Sequence, residues 1–229
     1  EAGTNQVLAA ALDPATTQSQ VFYNADATGD FTGPIQVGAD VVNFDTAQPP
    51  RHVTFNNYTY MVNGQMLHNT AVTTSAALRW DGATGTALVP DLDGTAGHFP
   101  CARYTTAWAE HVWVAYTLEG VDAHKNRVRY SAVNNAETWT ATDYIDIDIG
   151  EDGDHITAII PDADRLLVFK QNSIYAIYGF GRESWEVRNI TRTAGCREGT
   201  QPVAATTGVF FWYAEDGVYI VTYDDVAWV

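Results

Sequence analysis

Four stretches of the sequence share one layout, in which a polar turn leads into a short strand of apolar and β-branched residues. They are VTFNNYTYMVNG from Val53, AWAEHVWVAYTLEG from Ala107, DADRLLVFKQNSIYAIYG from Asp162 and TTGVFFWYAEDGVYIVTYDD from Thr206. Their starts lie roughly 54, 55 and 44 residues apart, close to the period of one four-stranded propeller blade, ~40 to 50 residues. The repeat therefore predicts a propeller-like stack of small sheets.

The rest of the chain agrees with an all-β class, because amphipathic helical periodicity is hard to find. We expect a β-propeller-like array of about four blades, with a generic β-sandwich as the alternative. The predicted division is a first, partial blade in residues 1–50, further blades in 51–106, 107–160 and 161–203, and a last blade, complete or not, in 204–229. The final strand ends without a loop, and unpaired edges invite aggregation, so we expect a larger chain.

The charge of the chain restricts its partners. Acidic residues outnumber basic ones 28 to 12, which gives a net charge of −16 and a pI near 4.4. Such a surface repels nucleic-acid phosphates, so we expect no specific nucleic-acid binding. No apolar run approaches the ~20 residues of a membrane span, so no membrane insertion is expected.

The segment DIDIGEDGDHITAII, from Asp146, carries five carboxylates in its first nine residues. A calcium loop starting at Asp148 would have Gly150 at a ligand position and Ile159 where its final glutamate belongs, so the segment fails that template. Asp146 and Asp148 alternate with isoleucines, as in a half-exposed strand, and the glycines that follow suit a turn. A connecting turn is favoured, and a hard-cation site stays open as the alternative. Its ligands would be Asp148, Asp152 and Asp154.

No catalytic set can be assembled from the sequence. The motifs GxSxG and HExxH, the Walker loop and the dinucleotide fingerprint are missing. We therefore predict that the protein is not an enzyme and carries no cofactor. Cys101 and Cys196, far apart and without a ligand motif, are predicted to be buried thiols. A sialidase-like site would need an arginine cluster, and five scattered arginines could contribute to one: Arg51, Arg79, Arg103, Arg165 and Arg182.

The second half of the chain, roughly from Trp108 to the end, resembles a β-propeller segment of tailed-bacteriophage virion proteins of the tail or nozzle type. The motifs that carry the resemblance are NRVRYSAVNNAETW from Asn126, GEDGDHITAII from Gly150, LLVFKQNSIYAIYG from Leu166 and GVFFWYAEDGVY from Gly208. The segment Gly199-Thr-Gln-Pro202 departs from the family, which has a Ser-Pro pair there, and the first hundred residues match only loosely.

The resemblance implies a structural protein of the virion tail, without catalytic residues. Such proteins form rings or sheaths around the conduit through which the genome leaves, so the expected partners are other tail proteins and further copies in a homo-oligomeric ring. The residues alone are also consistent with another function. Aromatic side chains on alternating strands, among them Trp108, Trp113 and Trp212, could serve a carbohydrate-binding or sialidase-like propeller involved in receptor recognition.

Overall fold

The computed structural model describes residues 8–13, 18–24, 30–44, 49–64, 75–149, 153–222 and 225–229. Within these ranges every regular element is a β-strand except one 3-10 turn, Arg182–Ser184. The all-β prediction is therefore confirmed. Among the described residues, no helix has the length and apolar character needed to cross a membrane.

The first part of the chain forms a three-stranded sheet and a short ribbon. The sheet contains β1 (Leu8–Asp13), β2 (Gln18–Tyr23) and β3 (Thr32–Pro34), and the ribbon contains β4 (Gln36–Val37) and β5 (Asp40–Val41).

Four sheets of four strands follow. The second sheet has β6 (Arg51–Phe55), β7 (Tyr58–Val62), β8 (Ala77–Trp80) and β9 (Gly85–Leu88). The third has β10 (Cys101–Trp108), β11 (His111–Glu119), β12 (Asp122–Tyr130) and β13 (Tyr144–Asp146). The fourth has β14 (Ile156–Pro161), β15 (Arg165–Lys170), β16 (Ile174–Tyr178) and β17 (Glu186–Thr191). The fifth has β18 (Val203–Thr206), β19 (Val209–Tyr213), β20 (Val218–Thr222) and β21 (Asp225–Trp228).

Each four-stranded sheet is an antiparallel meander, with neighbours in chain order. This is the construction of a propeller blade. Each of the four sequence repeats contains the turn between the first and second strands of one sheet. At two of these turns, Asn56-Asn57 and Ala109-Glu110, both residues have positive φ, as the tightest hairpins require. Asparagine tolerates that backbone well, whereas Ala109 and Glu110 adopt it against their preference.

Four apolar cores lie between successive sheets. Typical members are Phe44 and Met61 in the first core, Val62 and Val114 in the second, Trp113 and Val168 in the third, and Phe169 and Trp212 in the fourth. The first strands of neighbouring sheets also touch, since β6 contacts β10 and β10 contacts β14. The inner strands of a propeller surround its axis in this way.

Strand β15 shows how one sheet serves two cores. All six of its residues are buried. Leu166 and Val168 belong to the third core, while Leu167 and Phe169 belong to the fourth. This is the alternation that a strand imposes on its side chains. Interior sheets are therefore apolar on both faces.

The fifth sheet differs, because only one of its faces contributes to a core. Phe210 and Trp212 enter the fourth core. The opposite face carries six apolar side chains, none of which belongs to a core formed by the described residues: Val203, Val209, Phe211, Tyr213, Val218 and Ile220. We call these six residues the end face. Val203 is 64% exposed and Tyr213 is 44% exposed.

Candidate functional site

The acidic segment folds around a cation that the chain itself supplies. The Lys170 side chain is 0% exposed. Its ammonium lies 3.1 Å from the carbonyl oxygen of Asp148, 3.4 Å from that of Ile147 and 3.6 Å from the carboxylate of Asp154. Buried ammonium groups need such oxygen partners. The three oxygens and Lys170 therefore form a closed, charge-compensated site.

Asp154 is fixed by further hydrogen bonds. One carboxylate oxygen accepts from the backbone N–H of Asn172 at 2.7 Å, and the other accepts from the Ser173 hydroxyl at 2.6 Å. The residue is only 3% exposed. Its oxygens therefore tie the start of β14 to the turn between β15 and β16, which is a structural role.

Asp148 lies at the edge of the same site and adopts a positive φ of 45°. Its carboxylate accepts a hydrogen bond from the Tyr175 hydroxyl and lies 3.2 Å from the Arg192 guanidinium. These two partners, Tyr175 foremost, lower the pKa of Asp148. Asp152 lies outside the described residues. A cation site that uses Asp148, Asp152 and Asp154 stays a prediction, and two of its three carboxylates already have partners in the protein.

The five arginines proposed for a cluster do not share one acidic partner. Four of them have a separate carboxylate each: Arg79 with Glu137 at 2.8 Å, Arg103 with Glu198 at 2.7 Å, Arg165 with Asp162 at 3.2 Å and Arg182 with Asp143 at 3.1 Å. Arg51 is the exception, because its Nη1 donates to the neutral side-chain oxygen of Gln201.

Arg51 lies at a cavity of about 170 Å³ between the first strands of the second, third and fourth sheets. It is the first residue of β6, while Tyr104 and Thr105 lie in β10, Thr157 lies in β14 and Gln201 precedes β18. Three sheets and the segment that precedes the fifth sheet therefore contribute to one small space, which we call the axial cavity. Its remaining lining residues are Pro50, His52, Ala158 and Ile159.

The axial cavity has an incompletely satisfied polar lining. The hydroxyl oxygen of Thr105 is buried and has no hydrogen-bond partner among the described residues. The Thr157 hydroxyl, in contrast, donates to the Phe169 carbonyl at 3.4 Å. Burial raises the pKa of Tyr104 to about 12, so this side chain is a neutral phenol at physiological pH. The cavity therefore offers the Arg51 guanidinium, neutral hydroxyl groups and the His52 imidazole.

A second charged group near the inner strands is fully compensated. The Glu198 carboxylate lies 2.7 Å from Arg103 and 3.4 Å from His155. The Arg103 guanidinium also stacks over the Tyr116 ring, 3.9 Å from its centroid. Arg103 is thus held by a carboxylate and an aromatic face, unlike Arg51.

The strand that carries the NRVRYS motif uses its arginines internally. The guanidinium of Arg129 donates to both oxygens of Glu119, at 2.8 Å each. Arg127 donates to both oxygens of Asp146, at 2.7 and 2.8 Å. Paired bonds of this kind are the strongest that arginine makes with a carboxylate. These motif residues hold the third sheet together.

The two thiols have the predicted surroundings. Cys101 and Cys196 are both free and buried. Burial raises the pKa of Cys101 to about 12 and also raises that of Cys196. Neither thiol is therefore activated as a nucleophile.

The sequence reasoning did not single out the loop between β9 and β10. There the ligand atoms of Asp91, Asp93 and His98 all lie within 4.8 Å of one another. Asp93 is engaged as a turn residue, because one of its oxygens is 2.8 Å from the Thr95 N–H and from His98 Nδ1. The Asp-x-Asp-Gly spacing was the available sequence signal.

Comparison with known proteins supports the fold and no further assignment. No family model matches the chain, and no curated protein matches it. A protein from Lactobacillus plantarum aligns over 98% of this chain and 65% of its own length, at 17% identity and a TM-score of 0.55. The computationally designed Ika8 protein aligns over 98% of this chain and 58% of its own length, at 13% identity and a TM-score of 0.52. The chain thus spans less than two thirds of each of these structures.

Proposed function

We propose that the protein is a structural component of a tailed-bacteriophage virion, in which its propeller-like array belongs to the tail nozzle and acts through protein–protein contacts. It is localised in the virion tail and has no enzymatic role. Its partners are further copies of the chain in a ring and neighbouring tail proteins.

The end face is the observation that carries this proposal. The interior sheets bury apolar side chains on both faces, whereas the six side chains of the end face lie on one side of the fifth sheet, and three of them, Val203, Tyr213 and Val218, are exposed. Contiguous exposed apolar surface marks interaction sites. We assign the end face to a second copy of the chain, because the homo-oligomeric ring implied by the resemblance requires contacts between copies.

The residues that carry the sequence resemblance support a structural role. Arg127 and Arg129 bind carboxylates within the third sheet, and Asp154 binds Lys170 within the fourth. Leu166 to Phe169 fill the third and fourth cores. The shared motifs thus specify packing. The net charge of −16 also suits a conduit wall, since it repels DNA.

The proposal is tested by measuring the molar mass of the purified protein with light scattering over a concentration series. We expect multimers for the natural sequence. The double variant Val203→Glu, Tyr213→Glu should shift the mass toward the monomer, because it places charges in the contact. Both positions are exposed, so the fold should persist.

Phe180→Glu is the matched control. Phe180 is 87% exposed and lies outside the end face, so this variant should keep the mass of the natural protein. A monomer at every concentration would contradict the self-association, as would an equal loss of multimers in Phe180→Glu. Saturable binding to a glycan panel by a strictly monomeric protein would favour the carbohydrate-binding alternative.

A further inference from the structure

The axial cavity contains a cation, Arg51, that has no acidic partner among the described residues. Arg51 donates to the neutral Gln201 amide, and no carboxylate pairs with it among the described residues. This is unexpected in a chain with 28 acidic residues and 12 basic ones. Four other arginines each form an ion pair with a carboxylate. A shortage of acidic groups therefore does not explain why Arg51 contacts a neutral amide.

The cavity also contains a polar group without a partner. Thr105 is 9% exposed, and its hydroxyl oxygen makes no hydrogen bond within the described part of the chain. Buried polar groups are usually satisfied by protein or by a bound molecule. The volume of about 170 Å³ is many times the ~10 to 15 Å³ that one water requires. There is therefore room for a small solute beside Thr105.

We propose that the axial cavity binds a small hydroxylated carboxylate, such as a sugar acid or hydroxy acid. Its carboxylate pairs with the Arg51 guanidinium, whose planar fork matches a carboxylate in two-point contact. A hydroxyl group of the ligand bonds to Thr105. The apolar side chains of Ala158 and Ile159 line the rest of the space.

The chemistry of the cavity selects this class over others. A neutral sugar leaves the charge of Arg51 uncompensated. A doubly charged phosphate brings more negative charge than one guanidinium balances, in a molecule that already carries a net charge of −16. A monoanion with hydroxyl groups pairs its charge with Arg51 and forms a hydrogen bond with Thr105. This site is independent of the end face and of the proposed virion role.

Calorimetric titration at low salt tests the site, with D-glucuronate and glycolate as probes and glucose and inorganic phosphate as comparisons. We expect saturable binding of at least one carboxylate and none of glucose. Arg51→Met should weaken that binding by about tenfold or more, because a charge-assisted contact is lost. Thr105→Val should weaken binding of the hydroxylated ligand severalfold, whereas Thr105→Ser should retain it.

Arg182→Met is the control, since Arg182 is exposed and pairs with Asp143 away from the cavity. It should bind as the natural protein does, and thermal unfolding should show that all variants are folded. Failure of every carboxylate to bind, or unchanged binding by Arg51→Met and Thr105→Val, would overturn the site. Preference for phosphate over both carboxylates would overturn the ligand class. Neither result bears on self-association through the end face.

Discussion

Lys170 and Arg51 are two cations near the inner strands, and the fold treats them differently. Lys170 is fully buried, and its ammonium lies among two carbonyl oxygens and the Asp154 carboxylate. Arg51 borders an open cavity and contacts one neutral amide. The enclosed cation is needed for folding, because its partner would otherwise be a buried, unpaired charge. We expect the open cation to contribute little to the stability of the fold.

The largest expected effect concerns the enclosed cation. Lys170→Met should lower the free energy of unfolding by about 3 to 5 kcal/mol, because Asp154 stays buried without its counter-charge. Urea denaturation measures the change. Adding Asp154→Asn to Lys170→Met should restore part of the loss, since it removes the unpaired charge. A loss below about 1 kcal/mol for Lys170→Met would contradict the assigned structural role.

The enclosed site also depends on close backbone packing. A Cβ added to Gly195 would lie 2.2 Å from the carbonyl carbon and oxygen of Gln171, next to the turn whose Asn172 N–H binds Asp154. Gly195→Ala should therefore cost about 1 to 3 kcal/mol of stability through overpacking. Thermal and urea unfolding of this variant give the value. Gly181→Ala, where a Cβ meets open space, should change stability little, and equal losses would refute the packing argument.

The partly buried carboxylate of Glu119 should make the free energy of unfolding depend on pH. Burial acts to raise the pKa of Glu119, but the bonds from Arg129 and Thr117 outweigh it and lower the pKa to about 2. A lowered carboxyl pKa stabilises the fold above the ordinary value near 4.5 and ceases to do so as pH falls toward 2. After allowance for solvent screening, we expect a loss of about 1 to 2 kcal/mol in that window.

Urea unfolding at successive pH values isolates this contribution when Glu119→Gln is measured beside the natural protein. The stability difference between the two proteins should be largest above about pH 5 and should shrink as the solution becomes more acidic. A difference that stays constant over the whole range would show that Glu119 does not have the lowered pKa.

The smallest effect on stability is expected at the open cation. Arg51→Met should change the free energy of unfolding by no more than about 0.5 kcal/mol, because within the described ranges the guanidinium contacts the neutral Gln201 amide and no carboxylate. The same urea experiments provide the measurement. A loss of 2 kcal/mol or more would mean that Arg51 stabilises the fold as Lys170 does, and the comparison between the two sites would fail.

The hairpins were predictable because their signals are local. The polar turns at Asn56-Asn57 and Gln171-Asn172 separate β6 from β7 and β15 from β16, as the sequence predicts. The strand β10 was harder to place, because the turn that ends it, Ala109-Glu110, lacks glycine and asparagine. Each sequence repeat contains the turn of the first hairpin of a sheet, so it starts after the sheet has begun. The third and fourth sheets begin at residues 101 and 156, whereas the corresponding repeats start at 107 and 162.

The two sites differ in predictability for a similar reason. Asp154 and Lys170 lie at the open end of one hairpin, where Ile156 pairs with Lys170. Counting residues outward from the hairpin turn therefore predicts that the two side chains lie close together. Arg51 and Gln201 are 150 residues apart. Their contact depends on how successive sheets are arranged around the axis, which no local pattern encodes.

Because neighbouring sheets share their apolar cores, the cores indicate which sheet unfolds locally first. Each interior sheet contributes to a core on both sides, whereas in the described part of the chain the fifth sheet contributes to the fourth core alone. Fewer buried apolar contacts therefore hold the fifth sheet than hold an interior sheet. Unless another molecule covers it, the fifth sheet should therefore open at a lower free energy than the fourth, and its amides should exchange with solvent first.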